Sequence, residues 1–384
     1  MQIAEVEAIP VSMRLTPLED GGISPYVTNH GHVDEVERVL VRVETDTGVT
    51  GWGEMRVFLS PRATVGVIEE GIAPIVRGRS PFELESLRRL FFIEYTNVDM
   101  FFAPIEVACW DIVGQVLERP IFELLGGWTA PAVTERRRDA SYGEDQALDI
   151  AYCLGILSPE ESRAHAATAR EEGYRVLKTK AGRDWKEDVE RVVAMHDEVD
   201  GELEFRLDPN QGWRPDEAVR LCAQLADRGV YLQYAEQPIR VDAHESLASL
   251  HGRVTQPIAP NEDTYSRHNL RSLVANGSID AAVVDLTPAG GISGVRELAA
   301  IAEDGGVPVA HHCAFDLGVR TAAIVHTVFG TPGFTLPPDS AYAAWEDDII
   351  SEPLTVRNGQ LVVPDGPGLG VTVDHEKLER YRID

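Results

Sequence analysis

The feature that most restricts this sequence is a periodic alternation. Beyond Gly127, short apolar segments alternate with amphipathic stretches, which implies a parallel sheet closed by crossover helices. The segments are DIAYCLGI, YRVLKTKAG, LEFRLDPN, VYLQYAEQP, QPIAPNED, DAAVVDLT, VPVAHHCA and GFTLPPDS, eight in all. Eight strand-helix units are the count of a closed barrel, so an α/β fold of (β/α)8, TIM-barrel type is expected over residues 128–352. One intervening stretch, SPEESRAHAATAREEG, carries its own helix start. Ser158 caps, Pro159 takes the first helical position and Glu161 completes a capping box.

The chain before the barrel has another rhythm. Residues 2–12 and 36–54 alternate apolar and polar positions, and VLVRVETDTGVTGWGE reads as two strands joined at Thr47-Gly48. From about Arg62 to Leu125 the spacing is helical, with APIEVACWDIVGQVLERPIFELLGG as a buried helix, a break at Pro120 and a Gly-Gly stop. Residues 1–127 are therefore expected to form an α+β capping domain. The tail, 353–384, contains LTVRNGQLVVPDGPGLG and reads as a hairpin returning to that domain. Residues 128–147 fit neither pattern and read as a solvated surface excursion.

Composition narrows the partners. The 384 residues carry a formal net charge of -28, from 63 acidic against 35 basic groups, which repels nucleic acid and anionic membrane surfaces. Only four basic residues are lysines, at 178, 180, 186 and 377. Such an acidic, arginine-biased surface suits concentrated salt, where counterions screen carboxylate repulsion, so a salt-loving source is expected. Cys109, Cys153, Cys222 and Cys313 are scattered without a C-x-x-C pair, which argues against a disulfide framework or structural zinc. The opening MQIAEVEAIPV lacks the marks of a signal peptide and no apolar run reaches membrane-spanning length. A soluble, cytoplasmic protein is expected.

In a barrel, side chains at the C-terminal ends of the strands converge on one mouth. Charged residues recur there: Lys178, Asp208, Glu236, Glu262, Asp285, His312 and Asp339, spaced by 30, 28, 26, 23, 27 and 27 residues. Three carboxylates aimed at one point, Asp208, Glu236 and Glu262, cannot all stay ionised without a cation between them. A hard, oxygen-ligated ion, Mg2+ or Mn2+, is the expected answer, with Asp263 as a rival for the third ligand. A barrel-mouth salt bridge with arginine is the ordinary alternative for any one of them taken singly.

Lys178 and Lys180 stand two apart on one strand, so both face the barrel axis. Their closeness, with a metal nearby, is expected to lower at least one ammonium enough for it to act as a base; for Lys178, pairing with a metal-site carboxylate is the alternative. Asp285 and His312 end neighbouring strands, where a carboxylate can fix the tautomer of an imidazole and raise its basicity. The His311-His312 doublet leaves open which ring points inward. PAGGISG, at 288–294, is a weak phosphate-loop pattern that reads better as a tight strand-to-helix turn.

These residues resemble the enolase superfamily, mandelate racemase branch, and the likeness runs from GVTGWGE and ACWDIVGQVLERPIFELLGG to VPDGPGLGV. The resemblance implies that the K-x-K strand supplies bases, Lys178 and Lys180, and that Asp208, Glu236 and Glu262 hold the metal. It implies a dyad of Asp285 and His312. The muconate-lactonizing branch carries a lysine on the sixth strand, and none stands near Asp285, which points toward the racemase and acid-sugar dehydratase types over cycloisomerases, dipeptide epimerases and succinylamino acid racemases. Where the mandelate racemase pattern has a Glu on the eighth strand to bind the substrate carboxylate, this chain reads TLPPDSAY, with Asp339 nearest. A loop of the first domain, roughly Pro17 to His32, is implied to cover the site and set specificity. A homo-oligomer is also implied.

Removing the α-proton of a carboxylate demands stabilisation of the enediolate as it forms. Lys180 and His312 are expected as base and acid, with Lys178 adding positive charge. Asn210 and Asp339 are expected to bind the several hydroxyls of an acid sugar. The expected reaction of this small-molecule carboxylate is therefore dehydration of an aldonate or aldarate to a 2-keto-3-deoxy acid. Racemisation or epimerisation by the opposed bases Lys180 and His312 is the alternative. A Schiff-base lyase, which needs no metal, and a non-catalytic sugar-acid sensor are the rival classes. A zinc amidohydrolase is disfavoured because DIAYCLGI lacks H-x-H.

Overall fold

The computed structural model describes residues 1–94, 99–127 and 146–384. The excursion at 128–147 thus lies outside the described residues except for Gln146 and Ala147. The first domain is built on an antiparallel sheet of Ile3–Arg14, Glu35–Thr45 and Thr50–Arg56, in that order. Both faces are buried. Val6, Ala8, Val39, Val41 and Val43 pack toward helix Asp99–Leu117, while Ile9, Val11, Met13, Leu40 and Trp52 join the barrel core. The helix lies directly on the sheet: a Cβ at Gly53 would stand 1.9 Å from the Pro104 carbonyl oxygen.

Contrary to the reading of the sequence, Asp99–Leu117 is long and apolar enough to cross a membrane, with mean hydropathy 1.4 over its most apolar window. That window is 67 % buried inside the molecule, so its apolar surface is covered by protein. Its acid Asp111 accepts from Trp52 N at 3.0 Å and Leu369 N at 2.9 Å, tying helix, sheet and tail together.

The barrel strands are Ala151–Leu154, Val176–Lys180, Glu204–Asp208, Tyr234–Glu236, Ile258–Ala259, Ala282–Val284, Val309–His311 and Asp339–Ser340. Each falls inside one of the eight predicted segments. The first five pair in parallel sequence, and Asp339–Ser340 pairs with the first strand, Asp339 opposite Ala151. Backbone bonds bridge the remaining seams, among them Val283 N to Pro260 O at 3.0 Å and Leu336 N to Val309 O at 3.2 Å, so the barrel closes. The capping box forms as read: Ser158 Oγ accepts from Glu161 N at 3.2 Å and Glu161 Oε2 from Ser158 N at 3.0 Å.

After the eighth strand the chain makes only a 3-10 turn, Tyr342–Ala344, where a last long helix would stand. The tail hairpin, Val356–Arg357 with Gln360–Val362, pairs with Ala147–Asp149 rather than with the first-domain sheet. Only the residues beyond it reach that domain, with Ile383 N donating to Pro10 O at 3.0 Å.

The PAGGISG stretch is a tight turn: Gly290 and Gly291, at φ 81° and 105°, lead into helix Ile292–Asp304. The anion at that helix start is the protein's own. Glu106 of the first domain accepts from Ile292 N at 2.8 Å and Ser293 N at 3.0 Å, filling the place a phosphate would take.

Candidate active site

Strand register brings the two lysines to the acidic groups. Lys178 lies opposite Arg206 and Lys180 opposite Asp208 on the neighbouring strand, and both lysines line a cleft of about 970 Å3 at the barrel mouth. Lys178 Nζ donates to Glu236 Oε1 at 2.7 Å and Asp339 Oδ2 at 2.8 Å, and lies 3.2 Å from Asp208 Oδ2. Lys180 Nζ donates to Asp208 Oδ2 at 2.5 Å and to Asn210 Oδ1 at 2.8 Å. Asn210 reaches back because its backbone is left-handed, φ 43°, an uncommon geometry outside glycine that Gln211 and Gln237 share nearby.

The charges set one another. Burial alone would lower the Lys178 ammonium, but the carboxylates of Asp339, Glu236 and Asp208 outweigh it and hold the group well above its ordinary value. In the metal-free site the Lys178 ammonium is thus raised rather than lowered. Burial likewise favours protonated Asp208, yet Lys180 and Lys178 hold it below the usual carboxylate range. Glu236 behaves oppositely: burial, then the Asp208 charge, push it up to about 8.

Ligand atoms of Asp208, Glu236 and His312 lie within 4.8 Å of one another. Glu262 stands outside that group. Its Oε1 accepts from Gln211 Nε2 at 3.1 Å, and its Oε2 is buried with no hydrogen-bond partner. Asp263, the rival, is turned away: it accepts from Gln237 Nε2 at 2.8 Å and Asp242 N at 2.8 Å, and faces His244 Nε2 at 3.2 Å.

On the seventh strand the two histidines separate. His311 is fully buried, its Nε2 accepting from Leu286 N at 3.2 Å and its Nδ1 donating to His312 O at 2.7 Å; burial drops it to about 4 and keeps it neutral. His312 lines the cleft, with Nδ1 3.1 Å from Asp285 Oδ2. Burial would raise Asp285, but the Arg320 guanidinium, then His312, hold it well below the usual carboxylate range. Asp339, expected among the substrate-binding groups, borders the cleft with both oxygens engaged, Oδ2 by Lys178 and Oδ1 by Arg206 at 2.7 Å.

The first-domain loop closes over this mouth. It contains the pair Tyr26–Thr28 and Gly31–Val33, and Tyr26 sets its ring edge-on to Phe315 at 4.9 Å. Asn29 Nδ2 donates to Pro209 O at 2.7 Å, and Arg183 Nε to Thr28 O at 2.7 Å. Tyr26, Thr28 and Val33 line the cleft together with Arg56 and Leu59.

Reasoning from sequence missed Arg206 and Arg320. Arg206 had a signal, since it precedes Asp208 by two on the same strand and so shares its inward face. Arg320 had none, because it sits on helix Gly318–Phe329 and meets Asp285 only through the fold.

A closed barrel whose mouth gathers acidic groups, two lysines and a carboxylate-backed histidine defines an enzyme of acid-base chemistry. Residues 14–126 match the mandelate racemase / muconate lactonizing enzyme N-terminal domain, and residues 161–377 match the enolase C-terminal domain-like family. The chain belongs to the mandelate racemase and muconate lactonizing enzyme branch of the enolase superfamily. It is 25 % identical over 365 residues to N-succinyl-L-Arg/Lys racemase of Bacillus cereus, 94 % of each chain. It is 27 % identical over 377 residues to L-Ala-D/L-Glu epimerase of Bacillus subtilis, 97 % of each chain. The solved 2-chloromuconate cycloisomerase of Rhodococcus opacus superposes with TM-score 0.89 at 26 % identity, covering 100 % of both chains. Arabinonate dehydratase of Saccharolobus solfataricus is 26 % identical over 354 residues, 90 % of this chain and 91 % of that protein. Overall similarity thus includes the succinylamino acid racemase, epimerase and cycloisomerase types that the missing sixth-strand lysine argued against.

Proposed function

We propose that this enzyme removes the α-proton of a bound carboxylate and dehydrates an acid sugar, of aldonate or aldarate type, to a 2-keto-3-deoxy acid. The observation that carries this reading is that Lys180 and the Asp285-backed His312 line one cleft, from the second and seventh strands. On this reading Lys180 is the base for the α-proton and His312 the acid for the β-hydroxyl. Ser12, Thr28 and Arg56 add polar groups to the same cleft, as a hydroxylated substrate needs.

The donor set fits a hard divalent cation, Mg2+ or Mn2+. Glu262 keeps a buried carboxylate oxygen without a hydrogen bond, and Glu236 is pushed up to about 8 beside Asp208, a cost that a nearby dication would reverse. Asp208, Glu236 and Glu262 would hold the ion, which when bound draws charge from the substrate carboxylate.

Lys178, kept protonated by its carboxylate neighbours, stands beside the developing enediolate and offsets its charge. Lys180 Nζ takes the α-proton. His312 gives its proton to the β-hydroxyl, which leaves as water, and the enol that remains becomes the 2-keto acid. Thr28 and Tyr26, on the first-domain loop, line the cleft beside these groups.

The similarity to N-succinyl-L-Arg/Lys racemase and L-Ala-D/L-Glu epimerase favours a second reading. In it, His312 protonates the opposite face of the same carbon, and the substrate is racemised or epimerised. One experiment separates the two: sugar acids and acylated amino acids are incubated with enzyme and Mg2+ in heavy water and followed by NMR. A deuterated 2-keto product establishes dehydration. Deuteration without keto product establishes epimerisation, and no exchange with any acid overturns both.

A further inference from the structure

Five buried charged residues run without a gap from the capping domain to His312. In the first-domain sheet, Arg38 Nε donates to Glu54 Oε1 at 2.9 Å. Arg38 then crosses to the barrel, donating to Asp316 Oδ1 at 2.7 Å and Ala314 O at 2.9 Å. Arg320 donates to that same Asp316 oxygen and, through its other terminal nitrogen, to Asp285 Oδ1 at 2.5 Å. Asp285 Oδ2 meets His312 Nδ1. Arg38, Glu54, Asp316, Arg320 and Asp285 are each at most 4 % exposed, so water does not substitute for any of these partners.

Glu54 has a second hold on the barrel. It accepts from Leu317 N and Arg320 N, both at 2.9 Å, at the start of helix Gly318–Phe329. A carboxylate of one domain thereby caps a helix of the other, and that helix carries Arg320.

The consequence for the dyad is geometric. Asp285 Oδ1 is taken by Arg320 and by Thr287 N at 2.8 Å, so the carboxylate cannot rotate and Oδ2 stays aimed at His312. The imidazole makes that bond only with a proton on Nδ1, which leaves Nε2 facing the cleft. We infer that Arg320 and Glu54 are positioning residues for the dyad: by docking Arg38 and Glu54 onto Asp316 and Arg320, the capping domain fixes the orientation and tautomer of His312. The barrel strands alone then hold an incomplete site. The inference rests on His312 being a proton-transfer group, but its test needs no substrate.

The test is long-range 1H–15N NMR of the full chain labelled with 15N-histidine, the His312 signals being assigned by their loss in His312→Asn. The wild-type ring is expected to show the proton on Nδ1. Arg320→Met and Glu54→Gln are expected to lose that signature and give mixed tautomers. Asp111→Asn, which disturbs a domain seam outside the chain of charges, is expected to leave it unchanged. Should Arg320→Met fail to fold, Glu54→Gln, which keeps the side chain's shape, decides the matter. Unchanged His312 signals in folded Arg320→Met or Glu54→Gln, or a neutral wild-type ring protonated on Nε2 instead of Nδ1, overturn the inference. Absence of α-proton exchange in the wild type would instead remove the proposed function and leave these signals as described.

Discussion

Lys178 and Asp339 face each other where the eighth strand closes the barrel on the first, with Nζ 2.8 Å from Oδ2. The other oxygen of Asp339 is held by Arg206, whose guanidinium lies 4.7 Å above the Tyr234 ring. An acidic group on the eighth strand thus has both oxygens engaged, one by Lys178 and one by Arg206. Asp339→Asn leaves two buried cations short of a shared carboxylate, a loss of about 3 kcal/mol by analogy with broken buried pairs. Urea unfolding should show the lower midpoint, and an unchanged midpoint would mean the pair is not what steadies Lys178.

The two proton-transfer groups should separate cleanly from metal binding. Lys180→Ala and His312→Asn are each expected to lower turnover by roughly 10^2 to 10^4-fold, the range for loss of a general acid or base. Mn2+ affinity, read by calorimetry, should stay largely intact in both. Retained turnover in either variant would refute the assignment of a base and an acid.

Metal affinity should depend on pH through Glu236. With this group pushed up to about 8, a cation binding near neutrality must displace its proton. Affinity is expected to climb as pH rises toward 8 and to level off above it. For the metal-free protein the sign is opposite. A carboxyl raised in the folded state stabilises below its unfolded value, and that contribution is lost as pH rises through about 8. Calorimetric titrations and melting curves between pH 5 and 9 (roughly, the span that brackets the shift) check both slopes.

The net charge of -28 predicts a melting temperature that rises from low to molar KCl as counterions screen the surface. A flat or falling curve would remove the salt-loving reading.

What could be read from the sequence was what depends on local periodicity. Strand alternation placed Lys178 and Lys180 on one face, and the unit spacing brought Asp285 to His312, because both follow from barrel geometry alone. Pairings between distant elements were not legible. Nothing in the order of residues says that Glu54 and Glu106, both in the first domain, cap helices of the barrel, or that Arg206 occupies Asp339. The membrane-length helix was missed for a similar reason. Its polar positions, Glu106 and Asp111, interrupt the apolar run in the sequence, whereas in the fold both are buried and paired.

The most direct test is a crystal of the enzyme grown with Mn2+ and measured for anomalous scattering. One peak is predicted between Asp208, Glu236 and Glu262, with the Glu262 oxygen drawn in and Lys178 still beside Asp339. A peak at Asp242, His244 and Asp263 instead, or none at the barrel mouth, would contradict the role given to those three carboxylates.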